Sequence, residues 1–349
     1  MERQGRALIT SNQGSVDFTV IASEGLEGLP ESVSTVQLKL PRRPAVARII
    51  WFYLRSGRLI RRHRGDADLV HSCGAITTAR VDVATVHLCQ AAVSRGASGY
   101  RRGWRRINSA AARAAGRWTE RRSYRGDRVG TLVAVSPVVD SELATFYPDV
   151  VRTTIANGVD AENFRRTARE ARDDAGFLRV IMVTGDFALK GVDTVIEALA
   201  LARNAHLSVV GAGDVTELEA IARRLGVLDR LEFTGFVDDV APLYADCDVV
   251  VCASHYESFG LYLVEAALAG CALVSNRVGV AEQLVGPDRG GLLVERSPAA
   301  YADALNALDA DRPRLRSMGE YARQAAEAFS IEAMATGYAD LYRSLRARA

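Results

Sequence analysis

The chain has 349 residues, 48% of them hydrophobic, enough for two cores rather than one. No apolar run approaches the roughly 20 residues of a membrane-spanning helix, and the opening MERQGRALITSNQG lacks a signal peptide's apolar core, so a cytoplasmic protein is expected. The net charge of +2 hides a division: residues 1–170 carry 27 basic and 16 acidic side chains, residues 171–349 carry 17 and 26. The basic half suits an anionic acceptor or an anionic membrane face, and no nucleic-acid partner is expected.

Strand candidates in the first half are VDFTVIA (16–22), TVQLKL (35–40), DLVHSC (68–73), VATVHL (83–88), TLVAVS (131–136) and VRTTIA (151–156). Helical patterns lie between them at 44–64 and 104–124. The first strand has no apolar predecessor: RALITSNQGS reads as the tail of a helix, so the amino-terminal domain is expected to lack its first strand and glycine loop. On that reading, either the true beginning lies upstream or the chain is impaired. The segment 42–64 sets Trp51, Phe52, Tyr53 and Leu54 among arginines, a pattern that suits an anionic surface at the inner face of a membrane or a helix packed on the sheet. The polar stretch 166–178 reads as a linker.

The second half alternates regularly. RVIMVT (179–184), HLSVVG (206–211), RLEFTG (230–235), DVVVCA (248–253) and CALVSN (271–276) are separated by helical patterns, which predicts a parallel, doubly wound sheet. Further helices are expected near 298–309, 312–327 and 330–347. Together the halves predict an α/β protein of two Rossmann-like domains facing across a cleft. The domains run 1–165 and 179–329, with a last helix at 330–349 that packs back toward the first. The five cysteines lack C-x-x-C spacing and read as reduced core residues.

Two stretches carry chemistry. In SHYESFGLYLVE (254–265) a polar turn leads from an apolar strand into an apolar helix. Amides from Ser258 to Leu261 at that helix start can hold a phosphate or sugar oxygen, Gly260 permits close approach, and Glu257 and Glu265 can accept from hydroxyls. In TGDFALKG, Lys190 sits in another strand-to-helix turn. Lys39 and Lys190 are the only lysines among 44 basic residues, so a compact ammonium there is an informative exception. The triplets DAD (66–68) and DCD (246–248) invite a metal but precede strands at the wrong end, and read as helix-to-strand turns. VVGAGD (209–214) lacks the third glycine of a dinucleotide fingerprint. His87 ends a first-half strand, where it can hydrogen-bond a ligand or serve the structure.

The blocks 133–164, 184–199 and 254–285 resemble the retaining glycosyltransferases of family 4 (glycosyl transferases group 1), which have the GT-B fold. The resemblance rests most on the E-x7-E element from Glu257 to Glu265, with Lys190 upstream. It implies transfer of a hexose from a UDP- or GDP-linked donor to a glycan or lipid-linked acceptor, with retention and without metal or other cofactor. The glutamate matching Glu265 then serves the ribose, Glu257 the sugar hydroxyls, and the backbone at Phe259, Gly260 and Leu261 the sugar and phosphates. Lys190 serves the diphosphate, and His87 the sugar. Many members carry an arginine before the lysine where this chain has Asp186, a form closest to lipopolysaccharide-core glucosyltransferases. A catalytically impaired sugar-nucleotide-binding protein of the same fold is the alternative.

Overall fold

A computed structural model describes residues 2–41, 45–93, 104–166, 176–287 and 289–347. The chain forms two compact units, Met1–Gly158 with Ile331–Ala349, and Val159–Ser330. Most of the stretch read as a linker, 167–175, lies outside the described residues, as do 42–44 of the basic segment.

The first unit opens with helix α1 (Glu2–Asn12), so residues 5–12 form a helix, not a strand. Strands β1 (Thr19–Ala22) and β2 (Ser34–Gln37) make a parallel pair of their own, followed by α2 (Ala45–His63). Strands β3 (His71–Cys73), β4 (Val81–Val86), β5 (Val129–Ala134) and β6 (Val151–Thr154) form a separate parallel sheet in sequential order. Helices α3 (Trp104–Ser123) and α4 (Pro137–Phe146) cross over between β4, β5 and β6. Alternation with helices forces strands to run parallel, because each crossover returns the chain to the same sheet end.

The last helix, α14 (Ile331–Arg346), belongs to this unit. Its Met334, Tyr338 and Tyr342, four residues apart, share one face and bury against Leu8 of α1, Val83 and Val133. The tyrosine hydroxyls find partners inside: Tyr338 reaches Thr85 Oγ1 at 2.6 Å and Tyr342 reaches His71 Nδ1 at 2.6 Å. Gly158 lies so close to α14 that a Cβ there would stand 2.6 Å from the Ile331 Cα. Its N–H and C=O are both held by the Gln4 amide at 2.9 Å.

The second unit begins with α5 (Ala161–Arg166) and holds one six-stranded parallel sheet in the order β12-β11-β10-β7-β8-β9. The strands are β7 (Leu178–Val183), β8 (Ala205–Val210), β9 (Leu231–Gly235), β10 (Val249–Cys252), β11 (Ala272–Ser275) and β12 (Gly291–Leu293). β12 escapes sequence reading because only three residues pair, the first of them Gly291, whose added Cβ would meet the Leu273 carbonyl. The helices are α6 (Phe187–Lys190), α7 (Val192–Leu201), α8 (Thr216–Leu225), α9 (Ala241–Ala245), α10 (Leu261–Leu268), α11 (Ala281–Val285), α12 (Pro298–Ala310) and α13 (Arg312–Ala326). Central strands β7, β10 and β11 are buried on both faces, which is why they read as continuous apolar runs rather than alternations.

Candidate active site

In the second unit the chain winds from β7 outward through β8 to β9, then returns to the other side of β7 and winds outward through β10, β11 and β12. The strand order therefore reverses between β7 and β10. The two loops leaving the carboxyl ends of these strands diverge there and leave a crevice, the place where open α/β sheets bind ligands.

Those loops are 184–191 and 253–260, and they are laced together by backbone. The His255 N–H donates to the Leu189 carbonyl at 2.9 Å. Gly191, at φ 69°, lies so near the end of β10 that a Cβ would stand 2.4 Å from the Ala253 oxygen; only glycine fits both demands. The loop after β11 joins them: Gly279 and Val280 N–H donate to the carbonyls of Glu257 (3.0 Å) and Phe259 (2.9 Å), and Asn276 donates to Ser254 O at 3.0 Å. Beneath, the buried Tyr301 hydroxyl donates to the Cys252 carbonyl at 2.6 Å. Every tie is a hydrogen bond made inside the protein, so the crevice walls are fixed before any ligand arrives.

Lys190 and Glu257 meet on these walls. They form an ion pair whose side chains are only 16% and 15% exposed, and the Lys190 ammonium lies 4.7 Å from the centre of the Tyr262 ring. Asp186 caps the single turn α6 by accepting from Leu189 N–H at 3.2 Å.

Helix α10 follows the cap residue Gly260, which has φ 91° and offers no side-chain cap, so its first-turn amides face the crevice end of the helix. Ser258 and Leu261 flank this start half-buried. Phe259 is a packing residue, 3% exposed and set edge-on to Phe329, and contributes backbone only. Glu265 lies on the buried side of the same helix, 7% exposed; burial first, then the Glu265 charge, pushes the Tyr244 hydroxyl well above its ordinary range.

The aspartate triplets take structural roles. Asp248 accepts the Arg179 N–H at 2.8 Å and approaches Arg312 at 3.6 Å, while Asp246 ends α9. Asp68 faces solvent opposite Arg346. Among the described residues no cluster of three His, Cys, Asp or Glu side chains could hold a metal ion. All five cysteines are free, and four are buried.

In the first unit His87 directly follows β4 and is half-buried. Burial above all holds its imidazole down at about 4, so the ring is neutral at pH 7 and offers one donor and one acceptor. Sequence reasoning missed Tyr262, Ser254, Asn276 and Tyr301. The first three are polar or aromatic residues in or just after strand-end turns, a signal that was present; Tyr301 carried none.

Residues 165–325 match the family model for glycosyl transferases group 1, and residues 10–163 match that for Glycosyltransferase Family 4. A curated relative, D-inositol 3-phosphate glycosyltransferase 2 of Catenulispora acidiphila, is 34% identical over 62% of this chain, and the chain spans 56% of that relative's length. Among solved structures, WaaG, a glycosyltransferase involved in lipopolysaccharide biosynthesis, superposes with a TM-score of 0.76 at 20% identity, covering 97% of this chain and 95% of WaaG. Anabaena Alr3699/HepE, in complex with UDP-glucose, gives 0.68 at 19% identity, over 98% and 95%. These likenesses establish the GT-B fold.

Proposed function

The chain belongs to the group 1 glycosyl transferases with a Family 4 amino-terminal domain, and from that premise we propose that it moves a hexose from a nucleoside diphosphate sugar to a hydroxyl of a glycan or lipid-linked acceptor, with retention. The observation that carries this reading is the Lys190–Glu257 pair at the strand-order reversal. It sets one cation and one carboxylate on rigid turns a few ångströms apart, as a diphosphate joined to a polyhydroxyl ring requires. The relative that binds UDP-glucose with this fold supports the same donor class.

In this reading Lys190 and the first amides of α10 take up the charge that develops on the leaving diphosphate. Glu257 accepts from sugar hydroxyls, Glu265 from the ribose, and the neutral His87 hydrogen-bonds the sugar. The anomeric carbon loses the phosphate oxygen and gains the acceptor oxygen on the same face. The acceptor's proton passes to the departing phosphate, so no protein base is needed. No metal enters, because Lys190 and the helix amides supply the positive field.

The first unit is proposed to meet an anionic membrane surface. On α2, Ile50, Trp51, Leu54, Arg55, Arg58, Arg61 and Arg62 occupy one exposed face; Trp118 and Arg122 of the adjoining α3 are exposed as well. Tyr53 instead turns inward, 4% exposed, so the aromatic run is divided between packing and surface. No helix among the described residues is long and apolar enough to cross a membrane.

The deciding experiment is a thermal-shift panel of UDP- and GDP-hexoses followed by assay of nucleoside diphosphate release. A bound donor at a hundred times its Kd stabilises by about 2.7 kcal/mol. A shift with turnover is expected. A shift without turnover identifies a binding module of the same fold, and no shift with any donor refutes the reading.

A further inference from the structure

Glu120 stands in the run RWTERRSY, where an acidic residue beside Arg121 and Arg122 reads as part of a solvated helix face. The structure turns it inward. Arg121 and Arg122 face solvent, whereas Glu120 is 1% exposed, against the segment that follows β4. Its carboxylate accepts the N–H of Gln90 at 2.6 Å and of Ala91 at 3.3 Å, the Tyr147 hydroxyl at 2.8 Å and the Cys89 thiol at 3.5 Å. All four partners donate to the carboxylate; burial pushes the Glu120 carboxyl above its usual range, and these four hydrogen bonds oppose that by favouring the ionised form. Gly116, one helical turn earlier on α3, leaves room for the Gln90 side chain; a Cβ would stand 3.3 Å from it.

The two amides open a single helical turn in which Ala92 and Val93 N–H bond back to the Cys89 carbonyl. Glu120 thus caps that turn from another element. The turn begins two residues after His87, and nothing else in the short link separates it from β4. Tyr124, edge-on to Tyr147 at 5.3 Å, closes the pocket. Burial first, then Glu120, pushes the Cys89 thiol up to about 12, so it stays a protonated donor to Glu120 at pH 7. A buried carboxylate costs several kcal/mol to desolvate and is a poor way merely to fill a core.

We propose that Glu120 is a positioning residue: its carboxylate fixes the turn 89–93 and thereby holds His87 in the orientation that the transfer reaction uses. The inference rests on the role given above to His87 at the sugar.

Glu120→Gln keeps the shape but sets an amide nitrogen, itself a donor, against donors. With UDP-glucose or GDP-mannose, whichever the wild type turns over, kcat should fall about 10- to 100-fold, the range of a small misplacement of a contact group. Donor KM and the donor-induced thermal shift should not change; because a loss of folded protein would also lower apparent kcat at constant KM, turnover is taken per active site counted by donor titration. Amide hydrogen exchange at 90 and 91 should accelerate while β4 stays protected. Wild-type kcat, or unchanged exchange, overturns the proposal. If Glu120→Gln does not fold, Tyr147→Phe removes one donor and should show the same split at about 3-fold; unchanged kcat there also overturns it. A wild type that turns over no donor refutes the proposed function instead, and the exchange measurement still decides whether the carboxylate clamps the turn.

Discussion

Lys190 and Glu257, 67 positions apart, pair across the point where the strand order of the second unit reverses. Each is set there by a different strand, β7 and β10, and Gly191 and Gly279 allow the loops between them to close. On the proposed function, a diphosphate entering the crevice should compete with Glu257 for the ammonium.

Lys190→Ala should therefore lower turnover by ~10²–10³, the usual cost of one charge-stabilising contact, while leaving the unfolding temperature within a few degrees. Lys190→Arg should not restore it, because a planar guanidinium does not reproduce a compact ammonium above the Tyr262 ring. Glu265→Ala should likewise abolish transfer without unfolding the chain. Near-full activity in either alanine variant would remove that residue from the site.

Chelation should leave the chemical step unchanged. Asp248, the buried member of its triplet, is committed to Arg179 N–H and Arg312 at the amino end of β10, away from the crevice. The assay is nucleoside diphosphate release with and without EDTA. Complete loss that Mg²⁺ reverses would restore a metal to the mechanism.

The exposed face of α2 should bind anionic vesicles in a salt-sensitive way, each basic side chain contributing ~1 kcal/mol near the surface. Flotation with phosphatidylglycerol vesicles is expected at low salt and not with phosphatidylcholine alone. Arg58→Glu with Arg61→Glu should abolish it. Absence of binding to either vesicle would leave α2 a packing role only.

Acid should destabilise the first unit. Burial above all holds His71 and His87 at about 4, against ~6.5 for a free imidazole. Between those values the unfolded chain binds protons that the folded chain does not. Stability is then fully present above pH 6.5 and is lost as pH falls toward 4. For His71, bonded to Tyr342 and Thr85, the loss is on the order of 3 kcal/mol. Thermal unfolding from pH 7.5 to 4 should steepen below 6.5, and His71→Asn should flatten that dependence. An equal slope in the variant would contradict it.

The sequence by itself determined what depends on neighbours along the chain. The period of apolar residues marked β7 through β11 and their crossover helices, because burial on a strand or helix face imposes that period directly. Lys190 stood out as a rare lysine, Glu257 and Glu265 by spacing, and Asp186 by its departure from the family form. The helical reading of the opening residues followed from the same local logic.

Only the tertiary structure decided which distant residues meet. Strand order sets the ends of β7 and β10 side by side, and no periodicity encodes strand order; hence the Lys190–Glu257 pair, Tyr262 beneath it, and Tyr301 under Cys252 were not legible. The separation of β1 and β2 from the four-stranded sheet is likewise a pairing outcome. Trp51 and Tyr53 look alike in sequence, yet one faces solvent and the other the core, because their side chains point 200° apart around α2, and α3 and the loop 76–79 lie on one side. Glu120 is the plainest case: its charge says surface, and only the four donors that fold around it make the inside the lower-energy place.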